Sequence, residues 1–250
     1  MKKLSLIVIS VLLITAVLLS ACGSKAPAKV RVATDATWPP FETVDETTKE
    51  LVGFDIDMVK AIAVKASLDV EFVNVGFDPL LAGMAQCQYD AAVSAITILP
   101  ERQANMLFSD PYMNAGQIVA VKIDNTDILS KDNLSGKTVG AQIGTTGAIE
   151  VGKISGATLK TFDTVDLAYL ALQNGQIDAV VADSPTAAGF VLKNADKLKM
   201  VGNVFTDENY GIAICKTNTD LQKKINEGLA AVKADGTFDQ LLTKYNLVAK

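Results

Sequence analysis

The sequence contains no histidine among its 250 residues. That absence excludes catalytic triads in which histidine is the base, and zinc sites that have histidine ligands. Cysteine is also scarce, with Cys22, Cys87 and Cys215 as the whole complement. Internal repeats are missing, and no low-complexity tract occurs beyond a short polar stretch near the N-terminus. These absences favour an ordinary globular body without a metal and without a histidine-dependent mechanism.

An excess of positive charge is missing as well. The chain has 23 lysines and arginines against 28 aspartates and glutamates, which gives a formal net charge of −5. A surface that binds nucleic acid neutralises phosphates with a basic patch. We therefore expect no nucleic-acid partner, and no motif in the sequence calls for a cofactor.

The first residues are typical of an export signal. A basic "MKK" precedes the uncharged, mostly apolar run from Leu4 to Leu19, and small residues lead up to Cys22. "LSAC" resembles the bacterial lipobox, in which the cysteine is lipidated, for instance by palmitate, after cleavage. We expect a signal peptide over 1–21 and a lipidated tether over 22–29, which predicts an extracytoplasmic protein anchored to the cell membrane. An uncleaved transmembrane helix is the alternative, since the run is long enough to span a bilayer.

Removal of residues 1–21 takes away Lys2 and Lys3, so the formal net charge falls from −5 to −7. The remaining 229 residues suffice for one large domain or two small ones. Outside the cytoplasm a disulfide between Cys87 and Cys215 is possible. A buried Cys215 and a free Cys87 are an equally good interpretation of the sequence, because it does not give their separation.

Apolar periodicity and Gly/Pro punctuation predict alternating strands and helices. The strands are expected at "VRVAT", "VEFVNV", "DAAVSAI", "IVAV", "KTVGAQ", "ATLKTF", "DAVVAD" and "YGIAIC". The helices are expected at "FDIDMVKAIAVKAS", "DPLLAGMAQ", "TTGAIEVGK", "TVDLAYLALQNG", "SPTAAGFVLK", "DLQKKINEGLAAVKADG" and "FDQLLTKY". Asp55 and Asp57 lie near the start of the first helix, where the helix dipole favours acidic residues. This alternation predicts α/β architecture with mainly parallel sheets.

The strand–helix pattern restarts after Gln117, which indicates two such sheets. The apolar segments "QIVAV" and "YGIAI" are natural places for the chain to pass from one sheet to the other and back. We therefore expect a first lobe over 30–117, a second lobe over 118–209, and a return segment over 210–250 that completes the first lobe.

The stretch "SAITILPERQ" is unusual for a buried strand, because it carries two hydroxyl groups and then an arginine. Together with "TDATWPPFE", "LVGFDIDMVKAIA", "FSDPY", "GKTVGAQIGTTG", "DAVVADSP" and "ADGTFDQL", it resembles the amino-acid-binding proteins of bacterial ABC importers (solute-binding protein family 3). The resemblance covers residues 30–245. It implies the periplasmic binding protein-like fold, in which two α/β lobes are joined by a two-stranded hinge. It also implies that a ligand is clamped between the lobes, with a permease and an ATPase as partners, and we expect a monomer.

The resemblance assigns the carboxylate of a free amino acid to Arg102, Thr97, Thr145 and Thr146. A guanidinium offers a carboxylate two parallel hydrogen bonds, and the "GTTG" turn offers N–H groups at a helix start. The alternative for Arg102 is a surface arginine that pairs with Glu101 or Asp110.

The ammonium group needs a carboxylate and lone-pair acceptors. Asp183 stands at the carboxyl end of a predicted strand, where ligands of open α/β sheets bind. The resemblance adds Ser94 and the carbonyl group of Ala95. The alternative for Asp183 is an N-cap for the helix that begins near Pro185, and the two roles are compatible.

The resemblance places four residues around the ligand side chain, namely Asp35, Trp38, Phe77 and Gln142. Aromatic faces suit the stem and the cationic head of arginine or lysine. Asp35 adds a cleft carboxylate beyond that of Asp183, and a second buried charge is costly unless a cation matches it. We therefore expect a basic amino acid (arginine, lysine or histidine). An aspartate also occupies this position in glutamine-binding relatives, and Trp38 is a candidate for plain packing.

Two other functions compete with a receptor that has no enzymatic activity. Cyclohexadienyl dehydratases share this fold, and a cleft carboxylate is a possible general acid. A sensory domain is the second rival, although the chain ends at Lys250 with no signalling segment after the last helix, so that a partner would have to relay the signal. Glutamine or another polar amino acid is the alternative ligand.

Overall fold

A computed structural model describes residues 29–247 of the chain. The expected signal peptide and Cys22 lie outside these residues. Within them, no helix combines the length and the apolar character that crossing a membrane requires. The described α-helices are α1 Phe54–Ala66, α2 Phe77–Ala85, α3 Pro100–Gln103, α4 Thr146–Gly152, α5 Val165–Gln173, α6 Ser184–Lys193, α7 Thr219–Ala234 and α8 Thr237–Lys244.

The strands alternate with these helices for most of the chain. They are β1 Val30–Thr34, β2 Thr37–Trp38, β3 Glu42–Val44, β4 Leu51–Val52, β5 Val70–Asn74, β6 Ala91–Ala92, β7 Met106–Phe108, β8 Met113–Ala115, β9 Gln117–Lys122, β10 Thr138–Gln142, β11 Thr158–Phe162, β12 Ala179–Asp183, β13 Leu198–Val201, β14 Glu208–Tyr210 and β15 Ala213–Cys215. A 3₁₀ turn, Lys131–Asn133, precedes β10.

Two five-stranded sheets form two lobes. The first lobe has the strand order β5-β1-β6-β15-β7, in which β1 is parallel to β5 and β6, while β15 is antiparallel to β6 and β7. The second lobe has the order β11-β10-β12-β9-β13, again with a parallel half and an antiparallel half. The predicted α/β class and the two lobes are confirmed. Each sheet is mixed because β9 and β15, the strands at which the chain enters a sheet from the other lobe, pair antiparallel with their neighbours.

The link between the lobes is a two-stranded antiparallel pair, β8 with β14, in which Met113 faces Tyr210 and Ala115 faces Glu208. The predicted two-stranded hinge is thus present, but the expected crossing segments were wrong by a few residues. Most of "QIVAV" is strand β9 of the second sheet, and most of "YGIAI" lies beyond β14, toward β15 of the first sheet. The apolar side chains of both segments are explained by their place in the sheets, because strands that are covered on both faces are apolar throughout.

Each lobe buries its own apolar core. In the first lobe, α1 and α7 pack on one face of the sheet, where Phe54, Ile62 and Leu229 are almost wholly buried. In the second lobe, α5 packs against β10 and β12, and Tyr169 stacks on Phe190. Amphipathic helices on both faces explain why the central strands are continuous apolar runs.

The strand expected over 90–96 is much shorter, and its end forms part of the site. Only β6 pairs in the sheet, and the backbone then turns at Ala95, which has a φ of 45°. The N–H group of Ala95 donates to Asp55 Oδ2 at 2.9 Å instead of to a neighbouring strand. Residues 94–97 are thereby directed toward the space between the lobes.

Cys87 and Cys215 form a disulfide with a Cα–Cα distance of 4.9 Å. The interpretation in which Cys87 is free is therefore wrong. The bridge ties the turn after α2 to the end of β15, two segments of the first lobe that are 128 residues apart in sequence.

Candidate functional site

A small cavity lies between the lobes. Nine of the eleven residues singled out in the sequence line it: Trp38, Phe77, Ser94, Ala95, Thr97, Arg102, Thr145, Thr146 and Asp183. The other two, Asp35 and Gln142, are buried and hydrogen-bonded to each other. The structure therefore brings the whole set to one place, although the residues come from distant segments.

Arg102 lies on the short helix α3 and is 7% exposed. Its Nη1 donates to the carbonyl oxygen of Thr97 at 2.9 Å, and its Nη2 donates to the carbonyl oxygen of Gly144 at 3.0 Å. The guanidinium carbon also lies 5.5 Å from the centre of the Phe77 ring. These bonds use two of the five N–H groups of the guanidinium, so three are left for other acceptors. The alternative of a surface arginine paired with Glu101 or Asp110 is wrong, because the side chain is buried against the other lobe.

The two threonines of the "GTTG" turn stand at the start of α4. Thr145 is the N-cap, since its Oγ1 accepts from the N–H of Ala148 at 3.3 Å. Thr146 Oγ1 lies 3.5 Å from Thr97 Oγ1 of the first lobe. The local sequence explains this geometry, because Thr is a good N-cap and Gly144, with a φ of 78°, allows the turn before it.

Asp183 ends strand β12 and is 3% exposed. It occupies the N-cap position of α6, but its side chain makes no capping bond. Its carboxylate accepts instead from Gln117 Nε2 at 2.6 Å and from the hydroxyl group of Tyr210. The capping role expected for the side chain is therefore wrong, because two buried donors hold it toward the cavity. Burial, reinforced by Glu208, raises the pKa of Asp183 to about 6.

Ser94 and Ala95 follow β6 and face the same cavity. Ser94 Oγ accepts from the N–H of Asp35 at 3.1 Å and donates to Glu42 Oε1 at 2.8 Å. Its hydrogen is therefore directed away from the cavity. Ser94 can contribute only as an acceptor, which suits a ligand that carries N–H donors.

Asp35 and Gln142 connect the lobes on another side of the cavity. Gln142 Nε2 donates to Asp35 Oδ2 at 2.6 Å and to the carbonyl oxygen of Asp163 at 2.9 Å. Gln142 Oε1 accepts from the indole N–H of Trp38. Burial raises the pKa of Asp35, although the bonds from Gln142 and Thr37 oppose the shift.

The aromatic residues Trp38 and Phe77 lie near each other, with ring centres 6.3 Å apart. Trp38 also packs into the apolar core of the second lobe. Trp38 therefore has the packing role considered for it and also lines the cavity. Phe77, in contrast, packs with the core of the first lobe.

Three buried residues at the hinge were missed by sequence reasoning: Gln117, Glu208 and Tyr210. Gln117 Nε2, which donates one hydrogen to Asp183, also lies 2.9 Å from Thr146 Oγ1 and 3.1 Å from Glu208 Oε1, and these two oxygens share its second hydrogen. Thr97 Oγ1 donates to Glu208 Oε2 at 2.8 Å. The signal that could have found them is their position, because Gln117 and Tyr210 begin the two expected crossing segments and Glu208 lies two residues before the second, where polar residues become buried once the lobes meet.

Acidic residues outnumber basic residues around the cavity. Asp35, Asp183 and Glu208 are acidic and buried, whereas Arg102 is the basic residue of the cavity wall. Burial lowers the pKa of Arg102, an effect opposed by Asp183 and Glu208. Buried carboxylates without enough cations are costly, so the site favours a ligand with surplus positive charge. Among the described residues, no group of three or more acidic or cysteine side chains is arranged to hold a metal ion.

A family model decides the classification. Residues 30–248 match the model of the bacterial extracellular solute-binding proteins, family 3. The chain belongs to this family.

Relatives in the family are named as amino-acid-binding proteins. The chain is 34% identical to ABC transporter arginine-binding protein 1 of Escherichia coli K12, over 88% of this chain and 91% of the relative. It is 35% identical to the arginine-, lysine-, histidine-binding protein ArtJ of Geobacillus stearothermophilus, with a TM-score of 0.84 over 89% and 97% of the two chains. An ancestral arginine-binding protein, 42% identical, was solved with arginine bound, at a TM-score of 0.83 over 87% and 97%.

Proposed function

We propose that this family 3 solute-binding protein captures a free basic amino acid and delivers it to an ABC importer. The observation that carries the proposal is the charge around the cavity, where three acids, Asp35, Asp183 and Glu208, are buried and Arg102 is the basic residue of the wall. A zwitterion balances Arg102 and one acid, so an additional positive charge on the ligand side chain is favourable. The names of the relatives, which bind arginine, lysine or histidine, agree with this choice.

The roles follow from the chemistry of each wall. Arg102, Thr97 and the turn at Thr145 and Thr146 hold the ligand carboxylate, because Arg102 keeps three N–H groups beyond its bonds to Thr97 and Gly144, and the threonines approach from both lobes. Asp183, Ser94 and the Ala95 carbonyl accept from the ammonium group. Asp35, Gln142, Trp38 and Phe77 surround the side chain, where aromatic faces and a carboxylate suit a cation.

A thermal-shift screen of the free amino acids tests the proposal. Arginine, lysine or histidine should raise the Tm of the mature protein most, because a ligand at ~100 times its Kd adds ~2.7 kcal/mol to the stability of the folded state. No shift with any amino acid would refute the receptor function. A larger shift with glutamine than with any basic amino acid would refute only the proposed specificity.

Glutamine is the second candidate ligand. The observation in its favour is that an ancestral arginine-binding protein, 41% identical to this chain at a TM-score of 0.84, was solved with glutamine bound. We place it second because an uncharged side chain leaves Asp35 uncompensated. Enzymatic activity is not part of the proposal, and incubation with prephenate or arogenate should yield no product.

The proposal includes the cellular setting. It comprises export by residues 1–21, a lipid on Cys22 that anchors the tether 22–29 to the membrane, and a monomer that meets permease and ATPase subunits. The chain is divided into lobes at 30–117 with 210–250, and at 118–209. Cys22→Ala should release the protein from the membrane fraction or leave it unprocessed. If the wild type is found in membranes at its unprocessed mass, an uncleaved helix anchors it.

A further inference from the structure

Two carboxyl groups, Glu42 and Asp55, are buried together behind the cavity wall. Glu42 begins β3, Asp55 is in the first turn of α1, and both are 0% exposed. The two side chains approach each other closely enough to form a hydrogen bond once one of them carries a proton. None of the ion pairs that connect described residues includes either of them.

In each of these two carboxyl groups, one oxygen accepts hydrogen bonds and the other accepts none. Glu42 Oε1 accepts from Ser94 Oγ at 2.8 Å, and Asp55 Oδ2 accepts from the Ala95 N–H and the Tyr112 hydroxyl, both at 2.9 Å. The remaining oxygens, Glu42 Oε2 and Asp55 Oδ1, are buried and have no donor among the described residues. Two acceptors that lack donors and belong to side chains in contact are both satisfied by one proton between them.

The electrostatics identify the residue that holds the proton. Two touching carboxylates without a cation cannot both ionise, and they titrate as a pair. Burial, and then repulsion from Asp55 and Asp35, raises the pKa of Glu42 well above its usual range. Burial raises that of Asp55 to about 6, opposed by the bonds from Ala95 and Tyr112. The geometry agrees, because Asp55 accepts two hydrogen bonds, from Ala95 and Tyr112, whereas Glu42 accepts one, from Ser94, so Glu42 is the neutral partner and Asp55 the charged one.

We propose that Glu42 and Asp55 share one proton as a positioning pair, in which neutral Glu42 donates to Asp55 and the two together fix Ser94 and Ala95 for ligand binding. The inference rests on the proposed function, in which these two residues receive the ligand ammonium group. Glu42 draws the hydroxyl hydrogen of Ser94 away from the cavity. Asp55 holds the N–H of Ala95 and so stabilises its left-handed conformation. Both cavity-facing residues are thereby acceptors only.

The shared proton predicts opposite results for two substitutions at one position. In Glu42→Gln, the amide N–H replaces the carboxyl O–H toward Asp55 and the amide oxygen still accepts from Ser94, so the Kd for the best basic amino acid should stay within about threefold of the wild type. In Glu42→Ala, Asp55 and Ser94 both lose their partner, and the Kd should rise about ten- to hundredfold. Calorimetric titration measures the Kd of each variant, and thermal unfolding verifies that both fold.

Infrared difference spectroscopy tests the proton itself. At about pH 8, where an ordinary glutamate is ionised, the wild type should show the C=O stretch of a protonated carboxyl group, and Glu42→Gln should lack it. The proposal is overturned if the wild type lacks this band, if Glu42→Gln binds as poorly as Glu42→Ala, or if Glu42→Ala binds as well as the wild type. Failure of the wild type to bind any amino acid would instead refute the receptor function, and the infrared result would remain independent of it.

Discussion

The Nη2 of Arg102 donates to the carbonyl oxygen of Gly144 at 3.0 Å, so a side chain of the first lobe is bonded to the backbone of the second. Its Nη1 binds the carbonyl oxygen of Thr97 in its own lobe. The guanidinium therefore spans the cavity at the point where the lobes meet. A ligand carboxylate that binds there contacts both lobes, and its contacts favour the closed arrangement over the open one.

We expect Arg102→Ala to weaken binding of the best basic amino acid by roughly two to four decades, because breaking a buried charged pair costs ~3–5 kcal/mol. Arg102→Lys should lose almost as much, since an ammonium cannot make two parallel bonds. Arg31→Ala is the matched control, because Arg31 is the other arginine of the chain and binds the carbonyl oxygen of Gln88 near the surface. Calorimetry that gives similar Kd values for Arg102→Ala and the wild type would exclude the proposed clamp.

Local sequence patterns predicted the helices well. The helix expected at "SPTAAGFVLK" is observed over the same residues, Ser184–Lys193, and α1 differs from its prediction by one residue. Their boundaries depend on nearby residues, namely an apolar stripe and proline or glycine at the ends. Resemblance to a family, in contrast, was needed to select the site residues.

Long-range contacts explain what the sequence could not predict. Asp55 lies in the first turn of α1, where the helix dipole was expected to favour an acidic residue. The sequence did not show that its side chain is wholly buried and accepts from the N–H of Ala95, 40 residues away, where the chain turns out of the expected strand. Glu208 and Gln117 meet only because β8 pairs with β14 and the lobes approach each other. No local pattern contains such partners, so the acidic character of the cavity was underestimated.

Asp35 should control selectivity between charged and neutral ligands. In Asp35→Asn, the ratio of the Kd for glutamine to the Kd for arginine should fall at least about tenfold, because the cation loses its buried partner. Thr37→Val is the control, since Thr37 Oγ1 donates to Asp35 Oδ1 at 3.0 Å but carries no charge. Competition titration of both ligands measures the ratio. An unchanged ratio in Asp35→Asn would show that another residue selects the ligand.

The disulfide between Cys87 and Cys215 should stabilise the first lobe without affecting the ligand. It joins residues 128 apart, so its loss in Cys87→Ser/Cys215→Ser should destabilise the protein by about 2–5 kcal/mol, largely through the unfolded chain. The Tm should fall by about 5–15 °C. The Kd should stay as in the wild type, because neither cysteine lines the cavity. Calorimetric scans and titrations that show equal Tm, or weaker binding, would contradict this separation.

Acidic pH should affect stability and binding in opposite directions through Asp183. Its pKa is raised from 3.8 to about 6 in the folded protein, so the folded state binds more protons than the unfolded state between these values. This group therefore adds stability to the ligand-free protein as the pH falls from about 6 to about 4, and that stability is lost as the pH rises through about 6. A ligand ammonium, however, requires the ionised carboxylate.

Below about pH 6 the ligand must therefore displace a proton from Asp183, and the affinity should fall by up to about tenfold per pH unit. Titration at about pH 5.5 in two buffers of different ionisation enthalpy should detect proton release on binding. Asp183→Asn should bind more weakly, yet release fewer protons and lose part of the stability gained on acidification. Asp55 and Glu42 also titrate, so the difference between wild type and Asp183→Asn isolates the contribution of Asp183. Equal proton release in both proteins would mean that another group receives the ammonium.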